Sequence, residues 1–339
     1  MEARALELQP VATELRKHIL RMIQAAQSGH PGASLSSADI VTVLYYDEMR
    51  VRPADPAWPD RDRFLLSKGH ACPVLYGALA MKGYFAMAHL DTLREIDGIL
   101  QGHPDMRKTP GVDFTTGSLG NGLSIGLGMA LAGRLDGRDY RTYVMLGCGE
   151  MQEGMVWEAL MAGAKYELDN LCAIVDYNQL QLDGHNDEVM PLGDLVAKLR
   201  AFDWHVIECD GHDLDRIRAA FAEARRTSGR PTVLVAHTVK GKGVSYMEDQ
   251  VEWHGRVPSE EQYRQAMAEL ELAAWQRTLT VNLTGTFVCC KAVLPAMQAG
   301  GGGAIVNISS MAGESGGIKP GVDYSASKGG LLALTRKLA

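Results

Sequence analysis

Two apolar runs, Tyr143-Val144-Met145-Leu146 and Cys172-Ala173-Ile174-Val175-Asp176, are each followed by residues that can do chemistry. After the first comes Gly147-Cys148-Gly149-Glu150, and after the second comes Asn178. The runs read as buried parallel strands joined by an amphipathic helix that carries Trp157, Glu158, Leu160 and Met161. Glycines at the strand's end let the backbone turn tightly, and the helix that follows offers unpaired N–H groups and a positive dipole end. Ligands of open α/β sheets collect at the carboxyl ends of the strands, so the chemistry on offer is the binding of an anion. A second constellation lies far downstream. Tyr324 and Lys328 stand one helical turn apart on one face.

These residues need a scaffold, and the rest of the pattern supplies one. Leu6 to Ala26 and Ser36 to Asp47 have helical periodicity, with Ser36 or Ser37 as the N-cap. Further strands are expected at Trp204-His205-Val206-Ile207-Glu208 and Thr232-Val233-Leu234-Val235-Ala236. Between them Asp210-Gly211-His212-Asp213 turns the chain into a helix through Ala224. The prolines at 53, 56 and 59 make that stretch an irregular loop, because each removes a donor and restricts its predecessor. The β-α alternation predicts an α/β fold with a doubly wound parallel sheet through about residue 240.

The 34 basic and 41 acidic residues give a formal charge of −7 without long like-charge blocks, which argues against nucleic acid and polybasic membrane contacts. The six cysteines include no Cys-x-x-Cys pair, so reduced thiols in a cytoplasmic protein are the plain expectation. Met1-Glu2-Ala3-Arg4-Ala5-Leu6 lacks the pattern of a secretory signal, and no apolar run is expected to reach the roughly 20 residues that span a bilayer.

The Gly147-Cys148-Gly149 to Asn178 stretch resembles the thiamine-diphosphate signature Gly-Asp-Gly…Asn, and its surroundings narrow the resemblance to the transketolase family. Five more segments match in order: Ser28-Gly29-His30-Pro31-Gly32, Leu66-Ser67-Lys68-Gly69-His70-Ala71, Gly102-His103-Pro104, Thr115-Thr116-Gly117-Ser118-Leu119-Gly120-Asn121-Gly122, and Lys240-Gly241-Lys242-Gly243 leading to Trp253-His254-Gly255. The resemblance covers residues 1–270 and implies transfer of a two-carbon ketol unit from a ketose, usually a phosphate, to an aldose. It implies thiamine diphosphate bound through His70, Gly117, Leu119, Gly147, Gly149, Glu150, Asn178 and His254, with Gly120 allowing close approach. His30 and His103 correspond to groups that reach the donor's hydroxyls and reactive carbonyl, and His254, at the diphosphate, is counted as catalytic with them. Glu158 corresponds to a glutamate in a carboxylate network between active sites. Only the diphosphate-binding half is recognisable, so a separate subunit is expected to supply the pyrimidine and C-terminal domains, in a heterotetramer. A non-catalytic chain that binds cofactor or partner is the other class of reading. His18, His89, His185, His205, His212 and His237 are read as structural, since a lone histidine is usually surface decoration or a core hydrogen-bonder.

Cys148 departs from the family's pattern. The implied metal ligands are Cys148, Asn178 and the carbonyl of Leu180, with diphosphate oxygens and water. Magnesium wants hard oxygens, and a thiol is soft and neutral at its ordinary pKa of about 8.5. Three readings follow: weaker use of Mg2+, preference for a softer ion such as Mn2+, or loss of catalysis. Glu150 is the other group near enough in sequence to serve the ion.

From about Trp275 the chain changes identity. Asn282, Gly303 to Ser310 and Tyr324-Ser325-Ala326-Ser327-Lys328 resemble the middle of a short-chain dehydrogenase/reductase, whose Asn, Ser, Tyr and Lys match Asn282, Ser310, Tyr324 and Lys328. Residues 271–339 then read as a truncated Rossmann-like fragment with a strand after the glycine run at 300–303. No Gly-rich dinucleotide turn precedes it, so NAD(P)-dependent reduction is not expected. Such a tail should be dispensable and poorly packed.

Overall fold

The computed structural model describes residues 2–316 and 321–338; residues 1, 317–320 and 339, part of the fragment read as 271–339, lie outside the described set. The chain divides into two compact units, residues 1–267 and 268–339.

The first unit is built on five parallel strands: β1 (Arg63–Leu66), β2 (Thr142–Gly147), β3 (Leu171–Tyr177), β4 (His205–Asp210) and β5 (Thr232–His237). Their order across the sheet is β1-β2-β3-β5-β4, so the chain passes over the place of β5 and returns to fill it. β2 and β3 run in register from Thr142 opposite Leu171 to Gly147 opposite Asp176, which puts Cys148 and Asn178 beyond neighbouring strand ends. Alternate residues serve the two faces. Val144, Leu146, Ala173, Val175, Val233 and Val235 share one core with Leu123, Val156, Leu160 and Leu199 of the covering helices. On the other face Tyr143 meets Phe221 edge-on at 5.8 Å, and its hydroxyl donates to Glu48 Oε1 at 2.7 Å.

The helix expected at Leu6 to Ala26 runs Glu2–Ala26. The one expected from Ser36 is instead broken into Pro31–Ser36, Ala38–Val43 and a π-turn at Leu44–Glu48. Ser37 does hold the N-cap position of Ala38–Val43, but without a side-chain capping bond. Ser37 has helical backbone angles and its hydroxyl bonds back to the Ala33 carbonyl at 2.8 Å, while Ser36 donates to Asp176 Oδ2 at 2.6 Å. Asp213 does cap its helix, Leu214–Arg226, accepting from the N–H groups of Asp215 and Arg216. The proline stretch is a loop, held by Arg52 lying 3.8 Å over the Trp58 ring.

The second unit holds the helices Gly285–Ala299, Ala312–Ser315 and Val322–Leu338, and no strand among its described residues. The expected strand at 304–308 is irregular backbone, with Val306 83% and Ile308 76% exposed. A single run of that kind has no neighbour to pair with, so its apolar side chains stay in solvent. One continuous helix, Glu260–Ala299, is 40 residues long with mean hydropathy 1.3 over its most apolar window, which is 6% buried; by length and composition alone it could cross a membrane, contrary to the expectation from the sequence.

Candidate active site

A cleft of about 420 Å³ opens at the carboxyl ends of β2 and β3. It gathers His30, His70, His103, Gly117, Leu119, Gly147, Cys148, Gly149, Glu150, Asn178, Leu180 and His254. Glu158 is not among its lining residues; it sits exposed on the helix Gly154–Lys165. None of the six histidines read as structural reaches the cleft. His212 instead joins Asp39 Oδ2 at 2.8 Å and accepts from the Val239 N–H, pinning the loop that leads to Lys240.

The turn after β2 differs from the expected one. Cys148 has φ −63° and ψ −38°, and a one-turn 3-10 helix, Gly149–Gln152, intervenes before the α-helix begins at Gly154. The helix N-terminus is therefore not what meets a ligand at Cys148. Glu150, buried, organises the turn: its carboxylate accepts from the Ser67 hydroxyl, from the Gly120 N–H at 2.9 Å and from the Gly147 N–H at 3.0 Å. Burial pushes its pKa up, while the three donors favour the charge. Glu150 thus holds the wall together and does not stand free as a ligand. Across the cleft, Gly117 (φ +147°) and Gly120 (φ +84°) occupy backbone regions that side chains rarely adopt. A Cβ at Gly117 would lie 3.1 Å from the His103 ring, and one at Gly120 would lie 2.9 Å from Glu153 Cβ.

Three imidazoles cluster: His30 to His70 at 5.0 Å, His30 to His254 at 5.6 Å, and His70 stacked on His254 at 5.3 Å between centroids. Burial lowers the pKa of His30 to about 4, His70 to about 2 and His254 to about 3, with further lowering from Arg94, His30 and Lys240 respectively. These rings are neutral at pH 7 and do not change charge near the ordinary 6.5; they act as neutral donors and acceptors. His30 Nδ1 is buried without a hydrogen-bond partner. His103, exposed, also has its pKa lowered, first by burial and then by Arg94.

Three charged groups complete the cleft, each lying inside a segment or strand read from the sequence but without a role of its own: Lys68, Asp176 and Lys240. Lys68 Nζ forms an ion pair with Asp176 Oδ2 and donates to Ser37 Oγ at 2.6 Å and to the Ala33 carbonyl at 3.0 Å. Burial alone would raise the Asp176 carboxyl; Lys68 and the Ser36 and Thr238 hydroxyls outweigh it and hold the group below its ordinary value. Lys240 Nζ donates to the Leu180 carbonyl at 3.0 Å and lies 2.8 Å from His254 Nδ1, and burial lowers its pKa to about 8. A charged residue ending an apolar strand, as Asp176 does, was the signal available in the sequence.

A magnesium ion does not fit these residues. The Cys148 thiol is buried, and burial followed by the nearby Asp176 charge raises its pKa, so it is neutral. It lies 3.7 Å from Asn178 Oδ1, placed to donate, and that oxygen also accepts from the Leu180 N–H at 3.1 Å. Among the described residues no group of three or more His, Cys, Asp or Glu could hold a metal ion.

An all-parallel α/β sheet with an anion-sized cleft at its strand ends, walled by glycines and neutral imidazoles, defines a cofactor-binding enzyme domain. Residues 9–282 match the family model described as transketolase, thiamine diphosphate binding domain, and the chain belongs to that family. It is 45% identical over 271 residues to the 6-deoxy-6-sulfo-D-fructose transketolase subunit of Clostridium sp. (strain MSTE9), covering 80% of this chain and 98% of that one. It is also 45% identical over 270 residues to a subunit of the apulose-4-phosphate transketolase of Phocaeicola vulgatus, covering 80% of this chain and 95% of that one. The transketolase of Campylobacter jejuni superposes with TM-score 0.75 and 32% identity over 78% of this chain, but over only 42% of its own length. The chain is a thiamine-diphosphate-dependent transketolase subunit and hence a transferase, and its likeness to chains named as subunits implies a partner.

Proposed function

We propose that this cleft holds thiamine diphosphate with the diphosphate toward Cys148, Asn178 and Lys240, and that the assembled enzyme moves a two-carbon ketol unit from a ketose or its phosphate to an aldose or its phosphate. The observation that carries the reading is the meeting of four histidines with the β2 and β3 strand ends in one cleft. The two relatives named for a sulfo-sugar and a sugar phosphate support substrates of that class. When bound, the cofactor supplies a carbon nucleophile for the ketose carbonyl. The chain's own residues position and shield. His70 and His254 face the diphosphate, while neutral His30, His103 and His254 hydrogen-bond the donor's hydroxyls and carbonyl oxygen, where charge develops. The resemblance brings Mg2+ or Mn2+ as a second cofactor, and the neutral thiol at Cys148 is what opposes magnesium.

A partner carrying the pyrimidine domain would cover the cleft's mouth, completing a heterotetramer of two copies of each chain. Leu119 (39% exposed) and Leu182 (63%) line that mouth, with Met155 beside Gly120 also exposed. Glu158, exposed on the same helix as Met155, would face the partner. The supported setting is a cytoplasmic one, in keeping with free thiols at all six cysteines.

In the tail, read as a reductase-like fragment of residues 271–339, the matched side chains Asn282, Ser310 and Lys328 engage other groups among the described residues. Asn282 Nδ2 donates to Ser327 Oγ at 3.0 Å, and Lys328 Nζ donates to the Ile308 carbonyl at 3.0 Å. Ser310 Oγ accepts from the Ala312 N–H.

The test is a ketol-transfer assay of the purified chain with thiamine diphosphate and several ketose-aldose pairs, with and without a second polypeptide bearing a pyrimidine-binding domain. Turnover only in the mixture is expected. Robust turnover by the chain alone would refute the split arrangement, and cofactor binding without turnover in any mixture would favour a non-catalytic role.

A further inference from the structure

The two buried lysines of the cleft are not equivalent. Lys68 has Asp176 as counter-ion, and Asp176 is further engaged by Ser36, Thr238 and Asn178 Nδ2, the last at 3.0 Å. Lys240 is 1% exposed, yet its ammonium meets only neutral groups: the Leu180 carbonyl at 3.0 Å, the Gln181 carbonyl at 3.5 Å and His254 Nδ1 at 2.8 Å. Among the described residues it has no carboxylate partner. A buried cation without a counter-ion costs several kcal/mol unless something anionic joins it. Among the described residues the nearby Asp176 charge offsets part of that cost without pairing with Lys240.

The ammonium also occupies an oxygen that a metal would need. The Leu180 carbonyl is turned to Lys240, and Asn178 Oδ1 to the Cys148 thiol and the Leu180 N–H. Of the three ligands implied by the sequence, two oxygens are engaged by protein donors and the third is a soft sulfur where magnesium wants hard oxygen. Charge counting points the same way. The neutral thiol beside the Lys240 ammonium presents one net positive charge as it stands. Adding a dication to the present set would bring it against an unpaired ammonium with no carboxylate to absorb the excess.

We propose that this cleft binds a diphosphate ester without a divalent cation, with the Lys240 ammonium as the counter-charge in place of the metal. The inference rests on the diphosphate reading of the cleft given above. Cys148 and Lys240 act together: the thiol removes the carboxylate that would recruit the ion, and the ammonium supplies positive charge to the ligand.

The full chain is titrated with thiamine diphosphate by calorimetry in EDTA, and again with millimolar Mg2+ or Mn2+. The wild-type Kd is expected to stay within about threefold across the three conditions, since no ion is bound in any of them. Lys240→Met should weaken binding at least about tenfold in EDTA, and Cys148→Asp should open a gap of about tenfold or more between magnesium and EDTA. Circular dichroism of each variant reports on its folding. A wild-type affinity that rises tenfold or more with either ion would overturn the inference and leave the cofactor reading standing, as would full affinity in a folded Lys240→Met. Failure of the wild type to bind thiamine diphosphate in every condition would overturn both.

Discussion

The two compact units place similar residue types in opposite circumstances. In residues 1–267 the charged groups Lys68, Glu150, Asp176 and Lys240 are buried and converge on one cleft. In residues 268–339 the four residues that match a reductase relay are engaged with neighbouring side chains or backbone, apart from Tyr324, which is 36% exposed with Lys328 Nζ 5.7 Å from its ring centroid. Both regions carry motif residues at suitable spacing. What separates them is the sheet: β2, β3 and β5 end side by side and bring residues from distant segments together, whereas the second unit has no strand among its described residues. Spacing selects residue types, and strand pairing turns them into a site.

The sharpest way to break that contrast is to remove a lysine from each unit. Lys68→Met leaves the Asp176 carboxylate buried without its cation and should cost about 3–5 kcal/mol in urea denaturation. Lys328→Met, at a lysine whose partners among the described residues are a carbonyl and a ring face, should stay within about 0.5 kcal/mol. Equal losses would mean that the tail is as tightly built as the sheet.

A smaller effect should appear with pH. His30, His70 and His254 have folded pKa values lowered to about 4, 2 and 3 from the ordinary 6.5, so they are neutral in the native state and charge readily only when the chain unfolds. As pH falls below 6.5 the unfolded state takes up the extra protons, and stability drops until each folded pKa is reached. Thermal unfolding of the first unit should therefore show Tm declining from pH 6.5 toward pH 4, and a His70→Asn variant should have a shallower decline. A flat profile would show that the rings are not held neutral.

The smallest effect is expected from the tail. A chain ending at Leu270 should bind thiamine diphosphate as the full chain does and be at least as soluble, because Val306, Ile308, Met311 and Val322 are exposed apolar groups that it loses. Micromolar binding of NAD(H) or NADP(H) by the full chain would contradict this.

Strands β2 to β5 were legible because each is a run of apolar or β-branched residues bounded by turn formers. β1 was not: Arg63–Leu66 is four residues long behind the Asp60-Arg61-Asp62 charge cluster, and only pairing with β2 makes it a strand. The glycines and histidines of the cleft stood out by type and order. Lys68, Asp176 and Lys240 did not, since a charged residue usually reads as solvated and only tertiary placement shows that these are buried. The tail run at 304–308 misled in the other direction, its β-branched residues having no partner strand.

Glu150 joins three segments that are far apart in sequence, the end of β1 through Ser67, the loop before the helix Asn121–Leu135 through Gly120, and the end of β2 through Gly147. One side chain thereby fixes the relative positions of three loops before any ligand arrives. Little conformational freedom is then left for the walls to lose on binding, and the affinity of the cleft reflects its contacts with the ligand more than the cost of ordering itself.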